Sequence, residues 1–212
     1  MIQKHIKNNS SELIIVLNGW GTDETPFSAL TSHSDVLILS NYTDLNIDFD
    51  FSKYNNIKSI SFSCGVLMTT ILKNTLPKID YSVAINGTTL LFNKDFGVSP
   101  EIEKIFTSLN LENYIEFREK YLVFDKKELE LFNKYSPRRT FEDSFEEYFH
   151  LKKYDLLPKN EFNFDKVLIS DCDRIIPAQN QINYWKDKYK IIPNSGHFPF
   201  FKFNSFEEII EY

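Results

Sequence analysis

Three short stretches of this 212-residue chain hold the residue types of nucleophilic acyl transfer. Ser63 stands in Ser61-Phe62-Ser63-Cys64-Gly65, Asp173 in Cys172-Asp173-Arg174-Ile175-Ile176-Pro177, and His197 in Ser195-Gly196-His197-Phe198. A serine hydroxyl is a weak nucleophile until an imidazole takes its proton, and that imidazole needs a carboxylate to fix its tautomer and stabilise its cation. Attack on a carbonyl also places negative charge on oxygen, which calls for two N–H donors. The backbone of Cys64, directly after the serine, supplies one. The loop Asn18-Gly19-Trp20-Gly21-Thr22 supplies the other at Trp20, because its glycines let the chain come close to a ligand.

Each residue also has a plainer reading. Ser63 suits a helix N-cap, and Trp20 a packed aromatic, a role compatible with donating its N–H. Asp171 competes with Asp173 for the acid, and either can cap the helix that Pro177 starts; the D-x-x-x-P spacing favours Asp173. Of the four histidines, His5 falls in an N-terminal arm, His33 in a polar loop and His150 among helix-like segments. Only His197 has a strand and a glycine directly behind it. The Gly-x-Gly of the Trp20 loop lacks the third glycine and the acidic partner of a dinucleotide site.

The elements that must position these residues are legible as short apolar runs bounded by Asn, Gly, Asp or Pro: residues 13–17, 36–39, 57–62, 81–85, 167–169 and 189–192. Continuous β-branched runs of this kind are buried parallel strands. Helical spacing lies between them at 25–31, 65–76, 177–188 and 205–212. This predicts an α/β fold, a mostly parallel doubly wound sheet of about six strands. Nucleophile, acid and histidine in that chain order, each after a strand, single out the α/β-hydrolase among serine-triad solutions. The alternation breaks after Phe92, where helix-like stretches succeed one another. The prediction is therefore a single domain, 1–212, with a helical cap inserted at 93–158.

Composition narrows the function. A formal charge of −6 argues against nucleic acid as a general partner, since phosphate binding needs clustered Lys and Arg. Two cysteines, Cys64 and Cys172, build no disulfide framework and no metal site, so the expectation is reduced thiols and no cofactor. Met1 to Ser10 carries no signal-length apolar stretch, which predicts a cytoplasmic protein with no membrane association.

Gly19-Trp20-Gly21, the run from Asp44 to Asp50, the elbow Phe62-Ser63-Cys64-Gly65-Val66 and Ala84-Ile85-Asn86-Gly87-Thr88 together resemble the BioG-type pimeloyl-[acyl-carrier protein] methyl ester esterases. The resemblance is tightest in the first hundred residues and loosest in the cap. It implies a carboxylic ester hydrolase of biotin synthesis, with Ser63, His197 and Asp173 as its triad and an acyl-carrier protein bearing a pimeloyl methyl ester as its partner. Two positions depart from the common hydrolase pattern: Ser61 replaces the first glycine of the elbow, and Asn18 stands where many hydrolases have histidine. Phe92, Phe96, Phe106, Phe117 and Phe124 offer an aromatic lining for a long acyl chain, or plain core. Of the four arginines, Arg138 and Arg139 form a pair that suits docking of an acidic carrier or its phosphate, or else a salt-bridged helix start near Glu142 and Asp143. Other readings are a broader small-acyl esterase or thioesterase, and a hydrolase fold that only binds.

Overall fold

The apolar runs form strands, and the computed structural model, which describes residues 1–212, arranges seven of them in one sheet. They are β1 (Ile2–Ile6), β2 (Glu12–Leu17), β3 (Asp35–Ser40), β4 (Asn56–Phe62), β5 (Tyr81–Ile85), β6 (Lys166–Ser170) and β7 (Lys190–Ile192), in the order β1-β3-β2-β4-β5-β6-β7. From β3 to β7 every pairing is parallel. Leu13 to Leu17 and Val36 to Leu39 are fully buried, as strands covered on both faces must be.

The sheet has the mostly parallel, doubly wound form expected, with one strand beyond the six apolar runs read from sequence. Residues 1–10, read as an arm, place β1 antiparallel at the sheet edge, with His5 opposite Leu37. An edge strand buries little, so Gln3, Lys4 and His5 break the apolar run that would have revealed it. Its anchor is the buried Asp35, which accepts from Tyr54 Oη (2.7 Å), the Asn8 N–H (2.8 Å) and the Ser10 N–H (3.2 Å) and lies 3.0 Å from His5 Nε2. The helix expected at 25–31 is only a 3-10 turn, Thr25–Ala29.

The helices are α1 (Cys64–Leu72), α2 (Pro100–Ser108), α3 (Tyr114–Tyr121), α4 (Lys126–Lys134), α5 (Phe141–Asp155), α6 (Ala178–Trp185) and α7 (Phe206–Glu211). Four of them, α2 to α5, lie between β5 and β6. Three of them start where side chains cap them: Ser99, Asp125 and Thr140 each accept an N–H of the first turn of α2, α4 and α5. Phe106, Phe117, Tyr148 and Leu151 carry the hydrophobic core from the sheet into these helices. No helix is long and apolar enough to cross a membrane.

The strand order reverses at β2. The chain moves from β2 to β3 on one side and returns to β4 on the other. Ligand crevices of open parallel sheets lie at the carboxyl ends of strands at such a point. Here those ends are Leu17, leading into the Trp20 loop, and Phe62, leading into Ser63.

Candidate active site

Ser63 joins β4 to α1 in a conformation that a side chain rarely adopts, φ 55° and ψ −120°. Such a backbone costs about 1–3 kcal/mol. An N-capping serine would be extended and would accept an N–H of the first turn; Ser63 does neither, which removes the capping alternative. Gly65 must be glycine, because a Cβ there would lie 2.0 Å from the Leu17 carbonyl oxygen. The elbow is thus pressed against the end of β2. Ser61 fits in place of the usual glycine because its hydroxyl pairs with Thr69 Oγ1 at 2.7 Å.

The Ser63 Oγ lies 2.9 Å from His197 Nε2, and His197 Nδ1 lies 2.8 Å from Asp173 Oδ2. All three side chains are buried. Asp173 is fixed from four directions. Its Oδ1 accepts the N–H groups of Ile175 (2.8 Å) and Ile176 (3.0 Å), while Oδ2 accepts Gln181 Nε2 (3.0 Å) beside the imidazole. Asp171 is exposed and instead accepts the N–H groups of Asn194 and Ser195, holding the loop that leads to His197. Asn86, at the end of β5, donates to the His197 carbonyl at 2.8 Å and accepts the Ser170 N–H at 2.7 Å, so one side chain ties β5, β6 and the histidine loop together.

Trp20 and Cys64 flank Ser63 in the same pocket. The Trp20 N–H has no carbonyl partner, and the N–H of Cys64, first residue of α1, has none within its helix. Asn18 closes the loop from inside, accepting the Gly19 N–H at 2.8 Å and donating to the Asp23 carbonyl at 3.0 Å. The Trp20 indole packs on Phe106, Tyr114 and Phe117 and donates to the Ser144 carbonyl at 2.5 Å, so it is also a packed aromatic. Burial pushes the Cys64 thiol well up, the Glu147 charge adding to it, so Cys64 stays protonated and is no rival nucleophile.

The pocket over Ser63 holds about 500 Å³ including its open mouth. Leu91, Phe92, Val98, Phe106, Phe117, Leu122, Tyr148 and Leu151 make it apolar, and no Lys, Arg, Asp or Glu lines it. Burial, with Glu103 adding, pushes the Tyr148 phenol up to about 12, which keeps it neutral. Of the five phenylalanines named from sequence, Phe92, Phe106 and Phe117 line the pocket. Phe96 packs on Tyr184 instead, and Phe124 lies outside the lining.

The arginine pair divides. Arg138 is exposed, its N–H held by Asp23 Oδ2 at 2.7 Å. Arg139 is buried, bonded to Asp143 and 3.2 Å from Glu147 Oε2, which corrects its reading as a docking residue: its charge is already matched inside the protein. Arg118 is buried too, donating to Ser136 and Pro137.

The model of the family described as "Pimeloyl-ACP methyl esterase BioG" matches residues 1–209. The chain belongs to this family. It is 28% identical over 214 residues to an uncharacterized protein of Haemophilus influenzae, covering 96% of each. It is 30% identical over 180 residues to a malonyl-[acyl-carrier protein] O-methyltransferase of Bacteroides fragilis. That match takes in 82% of this chain, but the chain spans only 36% of the Bacteroides relative. Among solved structures, BioG from Haemophilus influenzae superposes with a TM-score of 0.88 over 99% of this chain and all of the other, at 24% identity. A thermophilic esterase from Thermogutta terrifontis follows the fold more loosely, with a TM-score of 0.58 at 13% identity over 93% of this chain and 86% of its own. The fold of this BioG-family chain is that of the α/β-hydrolases.

Proposed function

We propose that the chain is a serine carboxylesterase that removes the methyl group from a pimeloyl-[acyl-carrier protein] methyl ester in biotin synthesis, with residues 93–158 as the cap over its site. The observation that carries this is the hydrogen-bonded series Ser63–His197–Asp173 at the floor of an apolar pocket without charged lining. A free carboxylate would lose its hydration there without a cation to compensate; a methyl ester would not.

His197 Nε2 takes the Ser63 proton as Oγ attacks the ester carbonyl carbon. The resulting oxyanion lies between the N–H groups of Trp20 and Cys64. Collapse breaks the bond to methoxide, which leaves as methanol with the proton from His197. Water then gives a proton to His197 and attacks the acyl-enzyme, Ser63 recovers that proton, and the pimeloyl carboxylate departs. Asp173 holds the proton of His197 on Nδ1 throughout. The exposed Arg138, beside the Trp20 loop, is the cation proposed to receive the acidic carrier.

The test is growth of a biotin auxotroph blocked at the esterase step, together with turnover of the carrier-linked ester. Complementation by the wild type and its loss in Ser63→Ala and His197→Ala are expected, with kcat lower by about 10⁴-fold or more in each. Turnover of p-nitrophenyl esters without complementation would leave a broader esterase, and absence of both a binding protein.

A further inference from the structure

We propose that Glu147 is a positioning residue for ester hydrolysis, holding the Trp20 loop from α5 so that the Trp20 N–H aims at the oxyanion. This rests on the reading of Ser63 as nucleophile and of the Trp20 N–H as an oxyanion donor. Glu147 is wholly buried, and both of its oxygens are in use. Oε1 accepts the Tyr42 N–H at 3.0 Å; Oε2 accepts the Gly21 N–H at 3.1 Å and faces Arg139 Nη1 at 3.2 Å. Burial raises the pKa of this carboxyl, and the Arg139 charge with the N–H groups of Tyr42 and Gly21 opposes that rise by favouring the ionised form.

The Gly21 N–H belongs to the peptide next to the one that carries the Trp20 N–H. On the other side, the Trp20 indole is tied to Ser144, three residues before Glu147 on the same helix. Arg139, paired with Glu147, also donates to the Thr22 carbonyl at 3.5 Å. The loop is therefore held at Trp20, Gly21 and Thr22 by α5 and by Arg139, two residues before it. On its α3 side the loop lies against Tyr114, whose Oη would be 2.7 Å from a Cβ on Gly21. Its φ of +65° makes the turn that brings the Gly21 N–H to Glu147.

A buried ion pair is a poor way to gain stability, because desolvation consumes most of the attraction and apolar residues of the same volume serve as well. What the pair supplies that Leu and Met cannot is a directed acceptor for a particular N–H. That contrast gives the experiment. Glu147→Gln keeps the shape but sets an NH₂ against one of the donors, and the double variant Arg139→Met/Glu147→Leu removes both charges at nearly constant volume.

Loss of a whole oxyanion donor costs about 10²–10³ in kcat, so a misaimed one should cost about 10–100-fold. Both variants should lose that factor in kcat, with KM for the methyl ester within about threefold of wild type and labelling of Ser63 by a fluorophosphonate slowed in parallel. The double variant, which leaves the Tyr42 and Gly21 N–H groups without their acceptor, should melt below wild type but stay folded at the assay temperature. Wild-type kcat in a folded double variant, or in Glu147→Gln if the double variant does not fold, overturns the proposal, as does a rise in KM with kcat unchanged. A wild-type enzyme that is not labelled at Ser63 overturns the active-site reading first, and this one with it.

Discussion

Asp173→Asn tests the site most sharply, because the surroundings decide which way the new amide must face. Oδ1 accepts two backbone N–H groups, those of Ile175 and Ile176, so the amide oxygen has to take that position. The NH₂ then occupies the place of Oδ2, opposite His197 Nδ1 and Gln181 Nε2. Two donors cannot face each other, so the imidazole presents a lone pair at Nδ1 to this NH₂ and carries its proton on Nε2, where it can no longer take the proton of Ser63. The geometry stays intact while the base is disabled, a loss of about 10⁴ in kcat or about 5 kcal/mol of transition-state stabilisation. Turnover of the methyl ester, with thermal melting as a check on folding, measures it. Asp171→Asn should cost less than about tenfold, since that side chain only anchors Asn194 and Ser195. The reasoning fails if Asp173→Asn keeps kcat within tenfold of wild type, or if Asp171→Asn is the more damaging change.

Two further outcomes follow from charges elsewhere. Arg138→Glu should raise KM for the carrier-linked ester by about 10-fold and leave a small p-nitrophenyl ester unchanged, whereas equal loss on both substrates would mean a disturbed Trp20 loop. Burial alone would raise the pKa of Asp35, but hydrogen bonds from Tyr54, Asn8, Ser10 and His5 outweigh it and hold the carboxyl well below the usual range. Its ionised form therefore stabilises the fold above the unfolded-state value of about 3.9, and that contribution is lost as pH falls toward the folded value. Asp35→Asn should cost about 1–3 kcal/mol near neutral pH in urea unfolding, the gap to wild type narrowing below about pH 4; a gap constant with pH refutes the assignment.

The sheet and the meeting of Ser63, Asp173 and His197 are legible in sequence for one physical reason. Buried parallel strands are continuous apolar runs, and reactive residues placed just past their ends converge at one edge whatever the details of packing. β1 escapes because an edge strand is not required to be apolar. Arg139 misleads because adjacent arginines look alike in sequence, while the chain turns one outward and the other onto Glu147. Gln181 carries no local signal, and Asn86 stands out in sequence only as part of the run Ala84 to Thr88, with nothing to show what it bonds. Asn86 acts on residues 84 and 111 positions away, and only the fold brings them within reach.

The two departures from the common hydrolase pattern show what that pattern is for. Thr69 Oγ1 donates to the Gly65 carbonyl at 2.8 Å, so the proton between Ser61 and Thr69 comes from Ser61, and the hydroxyl fills a buried niche instead of pushing the strand from α1. The position needs a small residue; a serine with an acceptor waiting meets that need. At Asn18 the requirement is closure of the Trp20 loop, met by the side-chain bonds to Gly19 and Asp23. Asp23 in turn holds the Arg138 N–H, next to the Arg139 that pairs with Glu147. One buried asparagine thus begins a chain of hydrogen bonds that ends on the carboxylate gripping Gly21, and the loop beside Ser63 is braced from the sheet and from α5 at once.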